Sequence, residues 1–298
     1  MKLYTYQGQD GADRLGVGLS ERPGLLWPVE QFGWSFADMN NLIDQMTAAE
    51  RAALQQAVQT AAEEDALPLD RVRLRAPIPR PRQDLLCLGI NYAAHAVESA
   101  RFHEDAFLVG RQKATYFGKR VSEATGTGDP IPWYEGLVDS LDYEVELGVI
   151  IGRDCKNVPA EQAGDYVFGY TVINDVSARN LQTAHNQWYF GKSLDGYTPM
   201  GPCIVTADEF AFPPVCTVRS TVNGEKRQES STDLLLHSIP EIIAELSRGM
   251  TLRAGTVIAT GTPAGAGMGF TPPKFLQPGD VVVCEIDGIG ALTNPVGR

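Results

Sequence analysis

The chain has 298 residues, of which 43% are hydrophobic and 21% are charged, which is typical of a globular protein. Its 37 Asp and Glu residues outnumber 25 Lys and Arg residues, and the net charge of -12 would be repelled by nucleic-acid phosphates. No apolar run approaches the ~20 residues of a membrane span, and the opening MKLYTYQGQDGADRLG has no apolar signal-peptide core. We therefore expect a cytoplasmic protein with no nucleic-acid or membrane partner.

The cysteines are scattered, odd in number and include no CxxC pair. This pattern argues against a zinc site and favours buried small apolar residues in a reducing compartment. The five are Cys87, Cys155, Cys203, Cys216 and Cys284.

Residues 1–73 predict a small N-terminal α/β domain. The short strand patterns KLYTYQG and RLGVGLS precede a helix in TAAERAALQQAVQTAAEE. Thr47 and Glu50 have the spacing of a capping box, which marks the start of that helix. The arginine- and proline-rich stretch LRAPIPRPRQD then predicts a stiff connector.

Residues 74–298 predict a larger catalytic domain dominated by strands. Segments such as VELGVIIG, YVFGYTVIND, GPCIVTA and VVVCEIDGIGALTN are short, β-rich and bounded by turns. Helical patterns are limited to YAAHAVESAR, PAEQAGDYV and SIPEIIAELSRGM, the last opened by a capping box of Ser238 and Glu241. These patterns predict a β-dominated α+β fold with mixed sheets folded over one another.

The stretch LDYEVELGVIIG, residues 141–152, predicts a strand with three carboxylates on one face. Asp142, Glu144 and Glu146 alternate with apolar residues, and alternate residues of a strand share a face. A solvent-exposed face is one explanation, but LGVIIG is apolar on both faces and indicates burial. Neighbouring buried carboxylates are costly, and a divalent cation with hard oxygen ligands removes that cost.

A fourth acidic residue, Asp175, stands at the end of the next strand, YVFGYTVIND. If a helical turn follows Asp175, then Arg179 and Gln182 share its face. In purely structural terms, Asp175 would cap a helix and Arg179 would pair with it. Lys192, in YFGKSLDGYTPMGP, would by itself be a surface lysine.

The stretch GINYAAHAVESA places His95 and Glu98 three positions apart on a predicted helix. The carboxylate can then orient the imidazole as a general base, although the same spacing is common in ordinary surface ion pairs. Further on, TGTPAGAGMGF lacks the residues of a Walker or Rossmann loop. It predicts a glycine-rich turn whose backbone approaches a ligand.

In chain order, the motifs NYxxHxxE, ExE, DxxARxxQ, GKS and TGTP resemble the site motifs of the fumarylacetoacetate hydrolase family. The resemblance covers roughly residues 74–298 and continues through FTPPKFLQPGD and IDGIGALTN. Within that family, the chain resembles the bacterial acylpyruvase and oxaloacetate decarboxylase-like members that carry an N-terminal extension. It implies a mixed β-roll, usually a homodimer, with a divalent metal bound by acidic side chains.

Carried over residue by residue, the resemblance implies a metal site, a catalytic group and a substrate site. The metal, Mg²⁺ or Mn²⁺ with Ca²⁺ as a third option, would be bound by Glu144, Glu146 and Asp175. The catalytic residues would be His95 and Glu98, a water-activating dyad on a lid, together with Lys192. The substrate contacts would be Arg179, Gln182, Thr262, Gly261 and Tyr92. Asp142 matches no ligand, so it would support the ligands or face solvent.

The implied activity is a metal-dependent C–C bond hydrolase for a small acylpyruvate or β-diketo acid. A 2-oxo acid can chelate the metal, which would stabilise the enolate formed when a neighbouring C–C bond breaks. Donors such as Arg179, Gln182 and Lys192 would add to that stabilisation. Decarboxylation of an oxaloacetate-type 3-oxo acid and isomerisation of a 2-oxo-diene-dioate share the enolate and stay open. A non-enzymatic, metal- or ligand-binding relative is a further alternative.

Overall fold

A computed structural model describes residues 1–102 and 113–297, and strands dominate it. The strands are β1 Lys2–Gln7, β2 Asp13–Gly18, β3 Leu25–Pro28, β4 Leu67–Pro68, β5 Arg73–Leu74, β6 Leu85–Leu88, β7 Tyr116–Lys119, β8 Leu141–Asp142, β9 Val145–Ile151, β10 Val167–Asn174, β11 Ser177–Ala178, β12 Met200–Thr206, β13 Thr217–Val222, β14 Glu225–Ser231, β15 Val257–Ala259, β16 Val281–Ile286 and β17 Gly290–Pro295. The helices are α1 Met39–Gln45, α2 Ala48–Thr60, α3 Ala93–Phe102, α4 Arg179–Ala184, α5 Tyr189–Lys192 and α6 Ile239–Ser247.

The strands form a large mixed sheet, a four-stranded sheet and a two-stranded ribbon. The large sheet has the order β4-β3-β2-β1-β12-β10-β9-β15-β6-β7, with β5 paired to β1. Its β15 and β6 are parallel, whereas β9, β10 and β12 are antiparallel neighbours. The four-stranded sheet is β14-β13-β16-β17, and β8 pairs with β11. The predicted β-dominated α+β fold with a mixed-sheet roll is therefore confirmed.

The N-terminal residues continue the large sheet. Lys2 and Leu3 of β1 pair with Val205 and Ile204 of β12, so the sheet runs from the N-terminal strands into the catalytic ones. Side chains from both parts share one apolar cluster, which includes Trp27, Leu54 and Ile204. The domain boundary between residues 73 and 74 thus remains a prediction, and one sheet contains strands from both sides of it.

Two helix starts follow the predicted capping boxes. Thr47 accepts from the backbone N–H of Glu50 at the start of α2, and the carboxylate of Glu50 accepts in return from the N–H of Thr47. Ser238 and Glu241 form the second box at the start of α6. The helical pattern PAEQAGDYV forms a 3₁₀-helix over Ala160–Tyr166 and not an α-helix, and it begins directly after Pro159.

All five cysteines are buried and unpaired, as their spacing predicted. In the described part of the chain, no helix is long and apolar enough to cross a membrane.

The predicted strand over residues 141–152 is interrupted. Leu141 and Asp142 pair with β11, whereas Val145 and the residues after it pair with β10. Tyr143 and Glu144 lie at the break, because the chain changes its strand partner there. The break lies next to Asp175, the residue that directly follows β10.

Candidate metal centre and active site

The strand break brings three carboxylates together. Oxygen atoms of Glu144, Glu146 and Asp175 all lie within 4.8 Å of one another. The three residues are 4%, 1% and 0% exposed, so water screens their charges little. The convergence expected from the sequence is present, and the exposed-face alternative is wrong because both faces of β9 are covered.

Two buried lysines face this cluster. The Nζ of Lys192 donates to Glu144 Oε2 at 2.5 Å and to Asp175 Oδ2 at 2.7 Å. The Nζ of Lys119, on β7, donates to Asp175 Oδ1 at 2.6 Å and to the carbonyl of Val176 at 3.0 Å. Taken alone, Lys192 was expected at the surface, but its 2% exposure shows that these carboxylates hold it inside.

Arg179 binds carboxylates on β8 and at the strand break. Its Nε donates to Asp142 Oδ2 at 2.9 Å and its Nη2 to Glu144 Oε1 at 2.6 Å. Its Nη1 donates to Gln182 Oε1 at 2.9 Å, which leaves few free N–H groups for a substrate. The helix begins at Arg179 itself, so the alternative in which Asp175 caps it and pairs with Arg179 is wrong.

Asp142 is a fourth buried carboxylate and does not face solvent. Besides Arg179, it accepts from the backbone N–H groups of Gly267 at 2.6 Å and Met268 at 3.1 Å. It therefore ties the glycine-rich loop to the guanidinium that contacts Glu144.

The two carboxylate oxygens of Glu146 differ in hydrogen bonding among the described residues. Its Oε2 accepts from the N–H of Gly261 at 2.8 Å, whereas Oε1 has no hydrogen-bond partner among the described residues. Burial, then the charges of Asp175 and Glu144, raise the pKa of Glu146 well above its ordinary value. A buried carboxylate oxygen without a partner, beside two other carboxylates, fits a hard divalent cation.

Glu144 has the opposite pKa shift. Burial raises its pKa, but the cations Arg179 and Lys192 outweigh burial and leave the pKa far below its ordinary value. Burial likewise lowers the pKa of Lys192, and Asp175 and Glu144 reverse that effect and raise it. Two neighbouring carboxylates thus differ in proton affinity because only one of them is paired with cations.

His95 and Glu98 both lie on α3, as predicted, without a hydrogen bond between them. His95 is 2% exposed, and its Nδ1 lies 3.8 Å from Glu98 Oε2 and has no partner in the described residues. Its Nε2 lies 3.4 Å from the hydroxyl of Ser99. Glu98 instead accepts from the N–H of Gly265 at 2.9 Å. The carboxylate therefore joins α3 to the glycine-rich loop.

The TGTP loop is hydrogen-bonded to strand β9. The hydroxyl of Thr262 donates to the carbonyl of Val145 at 2.9 Å and accepts from Gln228 Nε2 at 2.7 Å. Thr262 is 0% exposed. Because its one hydroxyl proton is donated to Val145, none is left for a substrate carboxylate. Gly261 directs its N–H to Glu146 and not into an open pocket.

Tyr92 and Gln182 complete the predicted set. Tyr92 is buried just before α3, and burial, followed by the charge of Glu146, raises its pKa. Gln182 is 1% exposed, and its Nε2 has no hydrogen-bond partner among residues 1–102 and 113–297. That amide nitrogen is therefore a donor available to a ligand.

Three further residues support the site, namely Lys119, Gln228 and the Asn91 of the NYxxHxxE motif. Lys119 lies outside the quoted motifs and donates to Asp175. Asn91 donates from Nδ2 to the carbonyls of Thr260 and His237, and so fixes the start of the loop. Gln228 lies on β14, whose sequence EKRQESS gave no strand signal. Only its position in the fold connects it to the site.

The structure combines a mixed-sheet fold with a buried cluster of three carboxylates that could hold a cation. The model of the fumarylacetoacetate (FAA) hydrolase C-terminal family matches residues 84–297. The chain therefore belongs to the fumarylacetoacetate hydrolase family, whose members are enzymes.

Several relatives share most of the chain. It is 46% identical over 229 residues to the oxaloacetate tautomerase YisK of Bacillus subtilis, covering 77% of this chain and 74% of that protein. The structure of a fumarylacetoacetate hydrolase from Exiguobacterium antarcticum matches with 40% identity and a TM-score of 0.81, covering 100% and 99% of the two chains. The maleylpyruvate hydrolase of Sphingobium sp. SYK-6, in complex with manganese(II) and pyruvate, matches with 30% identity and a TM-score of 0.78, covering 100% of both chains.

Proposed function

We propose that the chain is a divalent-cation-dependent enzyme for short 2-oxo acids of the oxaloacetate and acylpyruvate class. Glu144, Glu146 and Asp175 would hold the cation, and the unpartnered oxygen of Glu146 is the observation that carries this proposal. An all-oxygen donor set suits Mg²⁺ or Mn²⁺, and the family relative that contains manganese agrees with it. When bound, the ion would act as a Lewis acid towards the carboxylate and keto oxygens of the substrate.

The first candidate reaction is keto–enol interconversion of an oxaloacetate-type diacid. His95 is buried and interacts electrostatically with Glu144. Its Nδ1 has no hydrogen-bond partner among the described residues and would take a proton from C3 of the substrate. The electrons of that C–H bond form the C2–C3 double bond, and the keto oxygen gains the negative charge. Proton return to that oxygen, from the imidazolium or from water, gives the enol. The 46% identity to an oxaloacetate tautomerase supports this candidate.

Two side chains would stabilise the developing charge. Lys192 uses two donors on Glu144 and Asp175, which leaves a third N–H for the substrate oxygen. The free Nε2 of Gln182 supplies an uncharged donor. Donors that are already fixed in a buried site stabilise such charge more than mobile water does.

Hydrolysis of an acylpyruvate, expected from the sequence, is the second candidate. It requires His95 to deprotonate water, and the nearby Glu98 carboxylate favours this role. Against it, Glu98 is bonded to Gly265 and does not orient the imidazole. We therefore rank tautomerisation first and hydrolysis second.

An assay of both reactions on one preparation tests the proposal. With Mn²⁺ or Mg²⁺, we expect the protein to accelerate the loss of enol absorbance from freshly dissolved enol oxaloacetate, without an equal release of pyruvate. Acylpyruvates are assayed in parallel for pyruvate release. Turnover of acylpyruvates alone would replace the first candidate by the second, and no turnover of either class with any divalent cation would refute both.

A further inference from the structure

Side chains bind three of the backbone groups at the break between β8 and β9, whereas the carbonyl of Glu144 accepts from the backbone N–H of Asp175 at 2.8 Å. The N–H of Glu144 donates to Asn174 Oδ1 at 3.0 Å. The N–H of Val145 donates to Gln228 Oε1 at 3.1 Å, and the carbonyl of Val145 accepts from Thr262 at 2.9 Å. These peptide groups carry the two carboxylates Glu144 and Glu146, so whatever fixes the peptides also fixes the carboxylates.

Gln228 is the centre of this arrangement. Its Oε1 accepts from Val145 N and from the hydroxyl of Ser220 at 2.9 Å. Its Nε2 donates to Thr262 Oγ1 at 2.7 Å and to the carbonyl of Pro263 at 2.8 Å. The amide thus uses both donors and both acceptor positions, and the side chain is 1% exposed.

The bonds close into a ring. Gln228 binds Val145 through the N–H and binds Thr262 through the hydroxyl, and Thr262 in turn binds the carbonyl of Val145. The ring joins three parts of the fold: the four-stranded sheet, strand β9 and the TGTP loop. The same loop presents the N–H of Gly261 to Glu146.

We infer that Gln228 is a positioning residue, which sets the geometry of the Glu144 and Glu146 carboxylates through the Val145 peptide and the TGTP loop. Gln228 hydrogen-bonds to neither carboxylate, so it acts only through their backbone. The inference rests on the proposed cation site. Groups that orient metal ligands from behind typically change metal affinity by about 10- to 100-fold when removed.

Calorimetric titration of the full chain with Mn²⁺ tests this inference. Gln228→Met keeps the volume and removes all four bonds, and we expect Mn²⁺ to bind about 10- to 100-fold more weakly. Ser220→Ala is the matched control, since it removes one bond of Gln228 and leaves the ring intact, and it should bind Mn²⁺ as the wild type does. We also expect the electron paramagnetic resonance spectrum of bound Mn²⁺ to change in Gln228→Met and not in Ser220→Ala. A purely structural role would change neither the affinity nor the spectrum of the folded protein.

A second variant covers a failure of Gln228→Met to fold. Thr262→Val opens the ring at another point, and it should weaken Mn²⁺ binding in the same direction. Wild-type affinity in the folded Gln228→Met protein, or in Thr262→Val if the first does not fold, would overturn the inference. A wild-type protein that binds no Mn²⁺ would overturn it together with the cation proposal. A wild-type protein that binds Mn²⁺ but converts neither substrate class would refute only the proposed reactions.

Discussion

The backbone N–H of Gly261 donates to Oε2 of Glu146 at 2.8 Å, across 115 positions of the sequence. Gly261 has a φ of +98°, and a Cβ there would lie 2.7 Å from the Cβ of Asn91. A glycine is therefore needed both for the backbone conformation and for the close approach of Asn91. This contact orients Glu146 so that its other oxygen is free.

Replacing Gly261 by alanine should weaken metal binding as well as the fold. The positive φ and the contact with Asn91 force the loop to shift, at a cost of about 1–3 kcal/mol, and the N–H moves away from Glu146. Gly279→Ala is the control, because Gly279 has a φ of +93° and a Cβ added there would meet nothing within 4 Å. Denaturant unfolding should show a loss of stability in both variants, and Mn²⁺ titration a loss of affinity only in Gly261→Ala. Equal Mn²⁺ affinity in the two would contradict this role.

Glu146→Gln should stabilise the metal-free protein and weaken metal binding. Burial and two neighbouring carboxylates disfavour the charge of Glu146, and the amide removes that charge while keeping the shape. We expect the melting temperature without metal to rise by about 2–4 °C and the rise on addition of Mn²⁺ to vanish. Glu229→Gln, at an exposed ion pair with Lys226, should change neither. A fall in the metal-free melting temperature of Glu146→Gln would argue against this charge balance.

Metal affinity should increase with pH because Glu146 has to release a proton to the solvent. The folded-state pKa of Glu146 lies above its ordinary value of 4.5. Its contribution to metal-free stability is therefore complete below pH 4.5 and is lost as the pH rises through the folded pKa. The metal affinity instead increases with pH, by about tenfold per pH unit over the range in which binding releases one proton. Calorimetry in buffers of different ionisation enthalpy measures that proton, and a pH-independent affinity with no proton release would refute the prediction.

Lys119→Met should destabilise the fold strongly. Lys119 is 0% exposed and pairs with Asp175, whose charge would be left buried with one partner fewer, at a cost of about 3–5 kcal/mol. Lys226→Met, at a surface pair in which the lysine side chain is 66% exposed, should cost no more than about 1 kcal/mol. Urea unfolding of both variants without metal gives the comparison. Similar losses in the two would show that Asp175 does not depend on Lys119.

His95→Ala should distinguish the reactions. Proton transfer to or from a positioned histidine typically contributes about 100- to 10,000-fold, so both tautomerisation and acylpyruvate hydrolysis should fall by that order. Decarboxylation of oxaloacetate needs no attacking water and should fall less. Glu98→Gln, which keeps an acceptor for the N–H of Gly265, should change tautomerisation little, because Glu98 is hydrogen-bonded to Gly265 and not to His95. Unchanged kcat for all three reactions in His95→Ala would remove His95 from the mechanism.

Local patterns were sufficient to predict much of the fold. The capping boxes at Thr47 and Ser238 are short-range signals, and both helices begin there. The alternating carboxylates of residues 142–146 and Asp175 at a strand end indicated the acidic cluster, because strand periodicity and strand ends are visible in the sequence. The break at Tyr143 and Glu144 could not be predicted, because it arises where β8 and β9 pair with different strands.

The supporting residues depend on long-range pairing. Lys119 meets Asp175 and Gln228 meets Thr262 only because separate strands pack together. Strand β14 is rich in charged residues and lies at the edge of its sheet, and its sequence has no apolar alternation. Arg179 and Thr262 were expected to bind substrate, but their hydrogen bonds to Asp142, Glu144 and Val145 depend on contacts that a motif does not encode.

The most direct test of the central claim is a crystal structure of the wild-type protein soaked with Mn²⁺ and oxalate, with anomalous data collected at the manganese edge. We predict one anomalous peak within ligand distance of Glu144, Glu146 and Asp175, including the Oε1 of Glu146 that has no partner among the described residues. A peak that lies elsewhere, or no peak at a Mn²⁺ concentration that raises the melting temperature, would contradict the claim that these three carboxylates form the cation site.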